Sequence, residues 1–215
     1  MARYLLPDLD YDFGALEPHI SGHIMELHHQ KHHKAYVDRA NEVLSKLDEA
    51  RGREDFASVS ALERALAFSV SGHVLHSIFW KNLTPKGGEK PQGDLMKMIE
   101  RDFGSFEAFK GQFKEVAAGV MGSGWAALVW EPLAKRLLIC QVYDHQSNLS
   151  QSGVSLMVLD AWEHAYYLQY ENRKTEFFKA VWNLWDWDDV GARLRSAQEL
   201  DLLVPEGAES ASRGH

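Results

Sequence analysis

Residues 26–37 read ELHHQKHHKAYV and place four histidines within two turns of a predicted helix. Residues four apart lie on one face of an α-helix, so His28 and His32 form one stripe. His29 and His33 form a second stripe, rotated by about a quarter turn from the first. The spacing does not select which stripe faces the core. It leaves open a metal site that uses some of these imidazoles, or histidines that are solvated or hydrogen-bonded within the fold.

The histidine-rich stretch lies inside a longer helical pattern. Ser21 is a suitable N-cap, and apolar residues at helical spacing continue to about Ala50. A polar break then separates this helix from a second pattern, roughly Ser60 to Leu83. Two long helices joined by a short break predict an antiparallel helical hairpin.

A cluster of proline and glycine, TPKGGEKPQG at residues 84–93, predicts the boundary between two halves of the chain. Beyond it the spacing of apolar residues predicts helices over 94–104 and 105–122, strands over 124–132, 135–144 and 153–162, and helices over 163–173 and 175–185. The fold class is therefore α+β, a long helical hairpin followed by a domain with a small three-stranded antiparallel sheet and helices. The predicted division is an arm and hairpin domain (1–90), a C-terminal α/β domain (91–195) and a flexible tail (196–215).

Composition narrows the class of partner and the compartment. The net charge of −8 argues against nucleic acid or an anionic membrane as the main partner. No apolar run approaches the roughly 18 residues of a membrane span, and the N-terminus lacks the pattern of a signal peptide. The single cysteine, Cys140, cannot form an intramolecular disulfide, so we expect a reduced compartment, the cytoplasm.

The second helix carries His73 and His76, and Gly72 lies one turn before His76. A glycine in the middle of a helix costs ~1 kcal/mol relative to alanine, so its presence needs a reason. Either another group occupies the space beside His76, or the two helices of the hairpin approach each other closely at this point.

A third candidate group follows the last predicted strand, in the sequence LDAWEHAYY. Asp160 ends this apolar strand, and His164 comes four residues later. A buried carboxylate is costly unless it is paired or bound to a cation, and aspartate with histidine commonly binds transition metals. The alternative is that Asp160 only caps the next helix.

One histidine from each long helix, together with Asp160 and His164, would supply three imidazoles and one carboxylate. This set suits a redox-active first-row metal better than a structural zinc site, which prefers sulfur ligands and closed coordination. Several aromatic residues could shape and dry such a site: Tyr36, Trp80, Trp125 and Trp162.

Taken together, these stretches resemble the iron/manganese superoxide dismutase family. The resemblance covers nearly the whole chain, and the motifs occur in the family's order: ELHHQKHHKAYV, GHVLHSIFWKNL, GSGWAALVW, QVYDHQSN and DAWEHAYYLQYENR. It implies the disproportionation of superoxide to oxygen and hydrogen peroxide by one iron or manganese ion per subunit, which cycles between the +3 and +2 states.

The resemblance also implies the residues of the site. The family's four protein ligands fall on His28, His76, Asp160 and His164, and solvent takes a fifth position. The residues of the substrate funnel and the surrounding shell fall on His32, Tyr36, Trp80, Trp125, Trp162 and Arg173. Of these, Arg173 matches the basic residue near the channel.

At least a homodimer is implied as well. In the family, the residue at Glu163 reaches across a twofold interface to a ligand histidine of the other subunit. The residue at Tyr167 meets His32 of the partner subunit. The family contains dimers and tetramers, and the sequence has no decisive signature of a tetramer.

The chain departs from the family at the residue that hydrogen-bonds the solvent on the metal. Many members use a glutamine there, from the position of Gly72 in iron types or from the position of His145 in manganese types. This chain has neither glutamine and is similar to a subgroup with histidine at the second position. That subgroup includes iron, manganese and exchange-tolerant enzymes, so we expect His145 to influence metal preference, and the metal stays open.

Two other classes of function would use similar residues. A metal buffer would need only the ligands and would not turn over superoxide. A carboxylate-bridged diiron oxygenase would need several glutamates at Glu-x-x-His spacing on four helices, which this sequence lacks. A count of one metal ion per chain, rather than two, would argue against the diiron class.

Overall fold

The structure, a computed structural model, describes residues 3–88 and 90–202. Its α-helices are α1 (Gly22–Leu27), α2 (Lys34–Arg53), α3 (Val59–Asn82), α4 (Gly93–Phe103), α5 (Phe106–Ala118), α6 (Tyr167–Tyr170), α7 (Lys174–Val181) and α8 (Trp187–Gln198). Its strands are β1 (Gly124–Glu131), β2 (Arg136–Tyr143) and β3 (Val154–Asp160). A π-helical segment (His28–His33) joins α1 to α2, and short 3₁₀ turns cover Phe13–Leu16 and Glu163–Ala165. Within the described ranges, no helix has the length and apolar character needed to cross a membrane.

The first long helix begins where the sequence predicts but is not uniform. The Ser21 hydroxyl accepts a hydrogen bond from the Ile24 backbone N–H at 3.3 Å, which confirms the predicted N-cap. At the end of the π-helical segment, the Lys34 backbone N–H donates to the carbonyl of His29, five residues back. The four-residue spacing used to define two stripes therefore fails here. As a result, histidines of both stripes are buried: His28, His29 and His33.

The helical hairpin predicted from the sequence is confirmed. Helices α2 and α3 pack against each other along their length, and a short turn, residues 54–58, joins them. Buried apolar residues recur on α2 at helical spacing: Val37, Ala40, Val43, Leu47 and Ala50. The hairpin thus holds the histidines of the first helix against α3, which carries His76.

The predicted three-stranded antiparallel sheet is also confirmed. Its order is β2-β1-β3, so β1 lies in the centre and is buried along nearly its whole length. The register of β1 and β3 pairs Trp125 with Asp160 at one end of the sheet. The sheet therefore fixes the carboxylate beside an indole ring.

A buried asparagine at the end of α3 ties the hairpin to the sheet. The Asn82 side-chain oxygen accepts from the Val158 N–H at 3.0 Å, and its nitrogen donates to the Leu156 carbonyl at 3.1 Å. The same nitrogen donates to Asp189 of α8 at 2.8 Å. These bonds set the position of β3 relative to α3, and hence of Asp160 relative to His76.

The C-terminal region differs from the prediction in detail. Only a 3₁₀ turn and the single turn of α6 occur in residues 163–173, where a continuous helix is predicted. Helix α8 was not predicted. Its signal is present in the sequence, because Asp186 accepts from two backbone N–H groups at its start and apolar residues follow at helical spacing.

The predicted tail begins too early. Helix α8 continues to Gln198, and Ala197 is buried, so residues 196–198 belong to the folded part. Residues 203–215 of the predicted tail lie outside the described residues. The division of the chain into 1–90 and 91–195 stays a prediction.

Candidate metal centre

Four side chains from both halves of the chain meet at one point. One potential ligand atom from each of His28, His76, Asp160 and His164 lies within 4.8 Å of the others. The Asp160 Oδ2 atom is 3.1 Å from His28 Nε2, 3.2 Å from His164 Nε2 and 3.7 Å from His76 Nε2. The spacing of the histidines alone leaves open which one of each helix takes part, and the two that lie in this cluster are His28 and His76, the ones that the family resemblance implies.

The four residues are almost fully enclosed, which determines their charge. His28, His76 and Asp160 are buried, and only His164 retains some exposure. Burial lowers the pKa of His28 to about 4 and holds the pKa of His76 well below its usual range, so both rings are neutral at neutral pH. Burial opposes ionisation of Asp160, but His164 and His28 outweigh it and hold the pKa of that carboxyl well below its usual range.

Two of these groups, His76 and Asp160, are each oriented by a hydrogen bond on the side away from the cluster. The His76 Nδ1–H donates to the Gly72 carbonyl at 2.6 Å, so the lone pair of Nε2 faces the cluster. Asp160 Oδ1 accepts from the Trp162 backbone N–H at 2.8 Å, which leaves Oδ2 to face the histidines. His76 Nε2 is buried without a hydrogen-bond partner in the described part of the chain. A buried acceptor of this kind is costly unless something binds it, and a cation fits.

The space beside Gly72 contains the ring of Tyr36. A Cβ atom at Gly72 would lie 2.9 Å from two carbons of that ring. The Tyr36 and His76 rings have their centroids 5.1 Å apart. Both reasons considered for this glycine apply together, because the ring beside Gly72 belongs to α2, the facing helix of the hairpin, and a longer side chain at Gly72 would displace Tyr36.

His145 lies next to the cluster, and its neighbour Trp125 determines which of its two ring nitrogens carries the proton. The Trp125 indole N–H donates to His145 Nδ1 at 3.0 Å, and an indole nitrogen can only donate. Burial lowers the pKa of His145 to about 4, so the ring is neutral and carries its proton on Nε2. That Nε2–H is buried without a partner among the described residues. The ring stacks on Trp162 at 4.6 Å and meets Tyr36 edge-on at 4.6 Å.

His32 and Tyr36 line the more open side of the cluster. Both are half-buried, and the His32 ring stacks on His164 with centroids 4.3 Å apart. Burial lowers the pKa of His32 and raises the pKa of Tyr36, so both are neutral at neutral pH. Two neutral hydrogen-bonding groups therefore lie between the buried ligand set and the surface.

Comparison with known proteins identifies this arrangement. A family model described as "Iron/manganese superoxide dismutases, alpha-hairpin domain" matches residues 3–84, and the model of the same family's C-terminal domain matches residues 91–193. The chain belongs to the iron/manganese superoxide dismutase family. This confirms the family that the sequence motifs indicated. As a member, the chain is an oxidoreductase that disproportionates superoxide to oxygen and hydrogen peroxide with one iron or manganese ion per subunit.

Curated superoxide dismutases from several bacteria are similar over most of their length. A protein named superoxide dismutase [Fe] from Mycobacterium tuberculosis is 56% identical, over 92% of this chain and 95% of its own. One named [Mn/Fe] from Propionibacterium freudenreichii subsp. shermanii is 55% identical, over 92% and 99%. One named [Mn] from Mycolicibacterium fortuitum is 54% identical, over 92% and 95%. Relatives of nearly equal identity thus have three different metal names, so similarity alone does not select the metal.

Three other residues expected from the family are exposed and are not part of the cluster. Glu163 and Tyr167 are exposed, as an interface residue would be in a single subunit. Arg173 is exposed as well, and its guanidinium lies 4.0 Å from the carboxylate of Glu171.

The neighbouring Lys174, which sequence reasoning missed, is half-buried. Its ammonium donates to the Val120 carbonyl at 2.7 Å. Burial lowers the pKa of Lys174, and the nearby carboxylate of Glu163 opposes that shift. The sequence shows only a second basic residue beside Arg173, and its contact with Val120 has no local signal.

Proposed function

We propose that His28, His76, Asp160 and His164 are the protein ligands of the single iron or manganese ion. The observation that supports this most is the buried, unpartnered Nε2 of His76, which faces an ionised carboxylate and two further imidazoles. Imidazole and carboxylate donors without a thiolate suit iron and manganese. A bound ion would supply the redox chemistry of the reaction, the exchange of electrons with superoxide between its +3 and +2 states.

The chain must then deliver two protons for each peroxide formed. We propose that His32 and Tyr36 carry them, because they lie between the ligand set and the surface. The Tyr36 hydroxyl stays protonated at neutral pH, so it can donate without first taking up a proton from bulk solvent. Trp125 and Trp162, whose rings contact His76 and His164, exclude water from the ligands.

We propose that His145 governs the metal preference. Its only proton is on Nε2, as fixed by Trp125, so it can donate a hydrogen bond to a solvent molecule in the site but cannot accept one there. A group that can only donate stabilises a negatively charged solvent molecule more than a neutral one. The strength of the hydrogen bond from His145 to that solvent therefore favours one oxidation state of the metal over the other, and a different donor at this position would change the preference.

We propose that the active form is a homodimer with the exposed turn around Glu163 and Tyr167 at its interface. The side chains of the adjacent residues Tyr167 and Leu168 are 49% and 64% exposed, so this turn offers two large apolar side chains that a partner subunit can cover. Sedimentation of the wild type should give a dimer at micromolar concentration, and Glu163→Ala should weaken that dimer. A monomeric wild type would contradict the proposal, whereas a tetramer would add a second interface to it.

We propose that Arg173 attracts superoxide to the channel by long-range electrostatics. Its charge is exposed, and steering by exposed charges is strongest at low ionic strength. Arg173→Ala should therefore lower kcat/KM severalfold at low salt and little at high salt. Lys174→Ala is the matched comparison: if only Lys174→Ala lowers the rate, the steering charge belongs to Lys174.

We also propose a cytoplasmic location. Cys140, the only cysteine of the sequence, is a half-buried thiol whose pKa is raised by burial, which fits a reducing compartment. Fractionation of cells that produce the protein at its native level tests this directly.

The principal test of the proposed function is a metal titration. Metal-free protein is loaded to increasing occupancy with iron or with manganese, and each sample is assayed for metal content and for superoxide dismutation. The rate should rise in proportion to occupancy and reach its maximum at about one ion per chain. A second ion per chain, or binding without turnover of superoxide, would contradict the proposal and favour the diiron or metal-buffer classes.

A further inference from the structure

A row of hydrogen-bonded side chains lies beside the proposed ligands and reaches the surface of the protein. The Trp80 indole N–H donates to His33 Nδ1 at 2.9 Å. His33 Nε2 in turn lies 2.8 Å from His73 Nδ1. These three residues, called here the Trp80–His33–His73 chain, come from two different helices and are not used by the proton route.

The direction of this chain is fixed by its first member. An indole N–H can only donate, so His33 Nδ1 has to accept and His33 carries its proton on Nε2. His33 Nε2–H therefore donates to His73 Nδ1, and the proton of His73 is on its Nε2. A protonated His33 would place two N–H groups against each other, so the arrangement requires the neutral ring.

The two inner members contact two of the proposed ligands. The His33 ring lies nearly parallel to the His76 ring, with centroids 5.3 Å apart and 21° between the planes. The Trp80 ring meets the His28 ring edge-on at 4.8 Å. Both His33 and Trp80 are buried, so a shift of either ring has to displace its neighbour.

The outer member is held in place but is not part of the closed core. The Ser77 hydroxyl donates to the His73 carbonyl at 2.8 Å, and the Tyr4 ring meets the His73 ring edge-on at 5.5 Å. His73 lines a cleft of about 450 Å³ at the surface. The chain thus connects the surface of the protein to the rings of two ligands.

We propose that His73 is a positioning residue for the metal centre. By accepting the hydrogen bond of His33, it holds His33 against His76 and, through the Trp80 indole, holds Trp80 against His28. The inference rests on the proposed ligand set. Without the acceptor, the buried His33 N–H would lose its partner, and the ring would tilt or flip to find another. Residues that orient metal ligands from behind commonly change metal affinity about 10- to 100-fold when altered.

The test compares His73→Leu with His73→Asn in the full-length protein loaded with iron or manganese. The two substituents have nearly the same shape, but only the carboxamide oxygen of asparagine can accept from His33. Val74→Ala is the control, because Val74 is an exposed neighbour on the same helix, lines the same cleft and has no part in the chain. The readouts are metal affinity by chelator competition and the ratio of affinities for the two oxidation states, obtained from the midpoint potential.

We expect His73→Leu to lower metal affinity at least tenfold and to change the ratio for the two oxidation states severalfold. His73→Asn should stay within about twofold of the wild type, as should Val74→Ala. Wild-type values for His73→Leu, or equal losses in both His73 variants, would overturn the inference. A wild type that binds no ion at the cluster would instead contradict the proposed function, so the two failures are distinguishable.

A second measurement does not depend on the variants being folded. Ring ¹⁵N NMR of wild-type protein loaded with diamagnetic zinc reports which nitrogen of His33 carries the proton. The inference requires protonation at Nε2. Protonation at Nδ1 would contradict it, because Trp80 could then not donate to His33.

Discussion

His28 and His33 lie five residues apart in the same π-helical segment, and both are almost completely buried, yet their nitrogens have opposite surroundings. Both nitrogens of His33 have protein partners, Trp80 and His73. His28 Nε2 instead faces Asp160, in a cluster where His76 Nε2 has no hydrogen-bond partner among the described residues. Burial does not distinguish a ligand from a structural histidine. The distinguishing feature is what the ring nitrogens meet: an indole and another imidazole at His33, but the Asp160 carboxylate at His28 and no hydrogen-bond partner at His76 Nε2.

The same contrast separates His29 from His145. His29 Nε2–H donates to the Pro7 carbonyl at 2.8 Å, and its Nδ1 accepts from Gln30 at 2.8 Å, so the ring is fully satisfied. His145 has a partner on Nδ1 only. We therefore divide four of the five buried histidines into a satisfied group, His29 and His33, and an unsatisfied group, His76 and His145. The fifth, His28, meets only the Asp160 carboxylate and belongs with the unsatisfied group in function, and we expect neither His29 nor His33 to bind the metal directly.

The largest effect should follow from loss of an unsatisfied nitrogen. His76→Ala removes one proposed ligand and leaves the carboxylate of Asp160 with two imidazoles. We expect metal content to fall from about one ion per chain to less than about a tenth, with no measurable dismutation. Elemental analysis after identical loading measures the metal content. The control is His23→Ala, which changes an exposed histidine of α1. Equal metal content in both variants would contradict the distinction between satisfied and unsatisfied histidines.

His145→Gln should change the relative activity of the iron and manganese forms rather than the amount of metal bound. Glutamine is longer and has a carboxamide donor in place of an imidazole N–H, so the hydrogen bond offered to solvent in the site changes in length and strength. We expect the ratio of iron-form to manganese-form activity to change roughly tenfold, with about one ion still bound. Ser147→Ala, at an exposed position two residues further on, should leave the ratio unchanged. The role of His145 is wrong if the ratio does not move.

His29→Ala tests the satisfied group and should have a smaller effect. The Pro7 carbonyl loses its donor, so we expect the free energy of unfolding to fall by about 1–2 kcal/mol, with metal content unchanged. Urea unfolding of the metal-loaded protein measures the first quantity and elemental analysis the second. Gln30→Ala removes only the exposed partner and should cost less. Loss of metal in His29→Ala would mean that protein partners on both ring nitrogens do not distinguish structural histidines from those that bind the metal.

The pH dependence of the metal-free protein should be gradual and should have a definite sign. Burial lowers the pKa of His28 and His145 to about 4 and of His33 to about 3, against about 6.5 in an unfolded chain. Below pH ~6.5 the unfolded chain therefore binds protons that the folded chain does not. Stability should be greatest above pH ~6.5 and decline as the pH falls toward ~4. Urea unfolding at several pH values should show a shallower decline for His145→Gln, and parallel profiles would contradict this account.

Much of this arrangement was predictable because it depends on local patterns. The amphipathic helical patterns predict the hairpin, and three strand-like runs separated by turns predict the sheet. The acid at the end of the last apolar run points to Asp160. The family motifs assigned His28 and His76 before the geometry did. Helix α8 was missed although its cap, Asp186, is visible in the sequence.

Other features depend on packing between distant segments and have no local signal. The π-helical segment rotates both histidine stripes toward the core, which a regular 3.6-residue period cannot indicate. The contact of His33 with His73 joins residues 40 positions apart and requires the hairpin to be in register. The half-burial of Lys174 beside the exposed Arg173 likewise depends on a distant segment, because its ammonium donates to the carbonyl of Val120, 54 residues away.

The most direct test of the central claim is anomalous diffraction from crystals of the protein loaded with manganese or iron. The account predicts one strong peak per chain, within bonding distance of an Nε2 atom of each of His28, His76 and His164 and of an Asp160 carboxylate oxygen. A peak elsewhere, or one bonded to His29, His33 or His73, would contradict the division between satisfied and unsatisfied histidines on which the account rests.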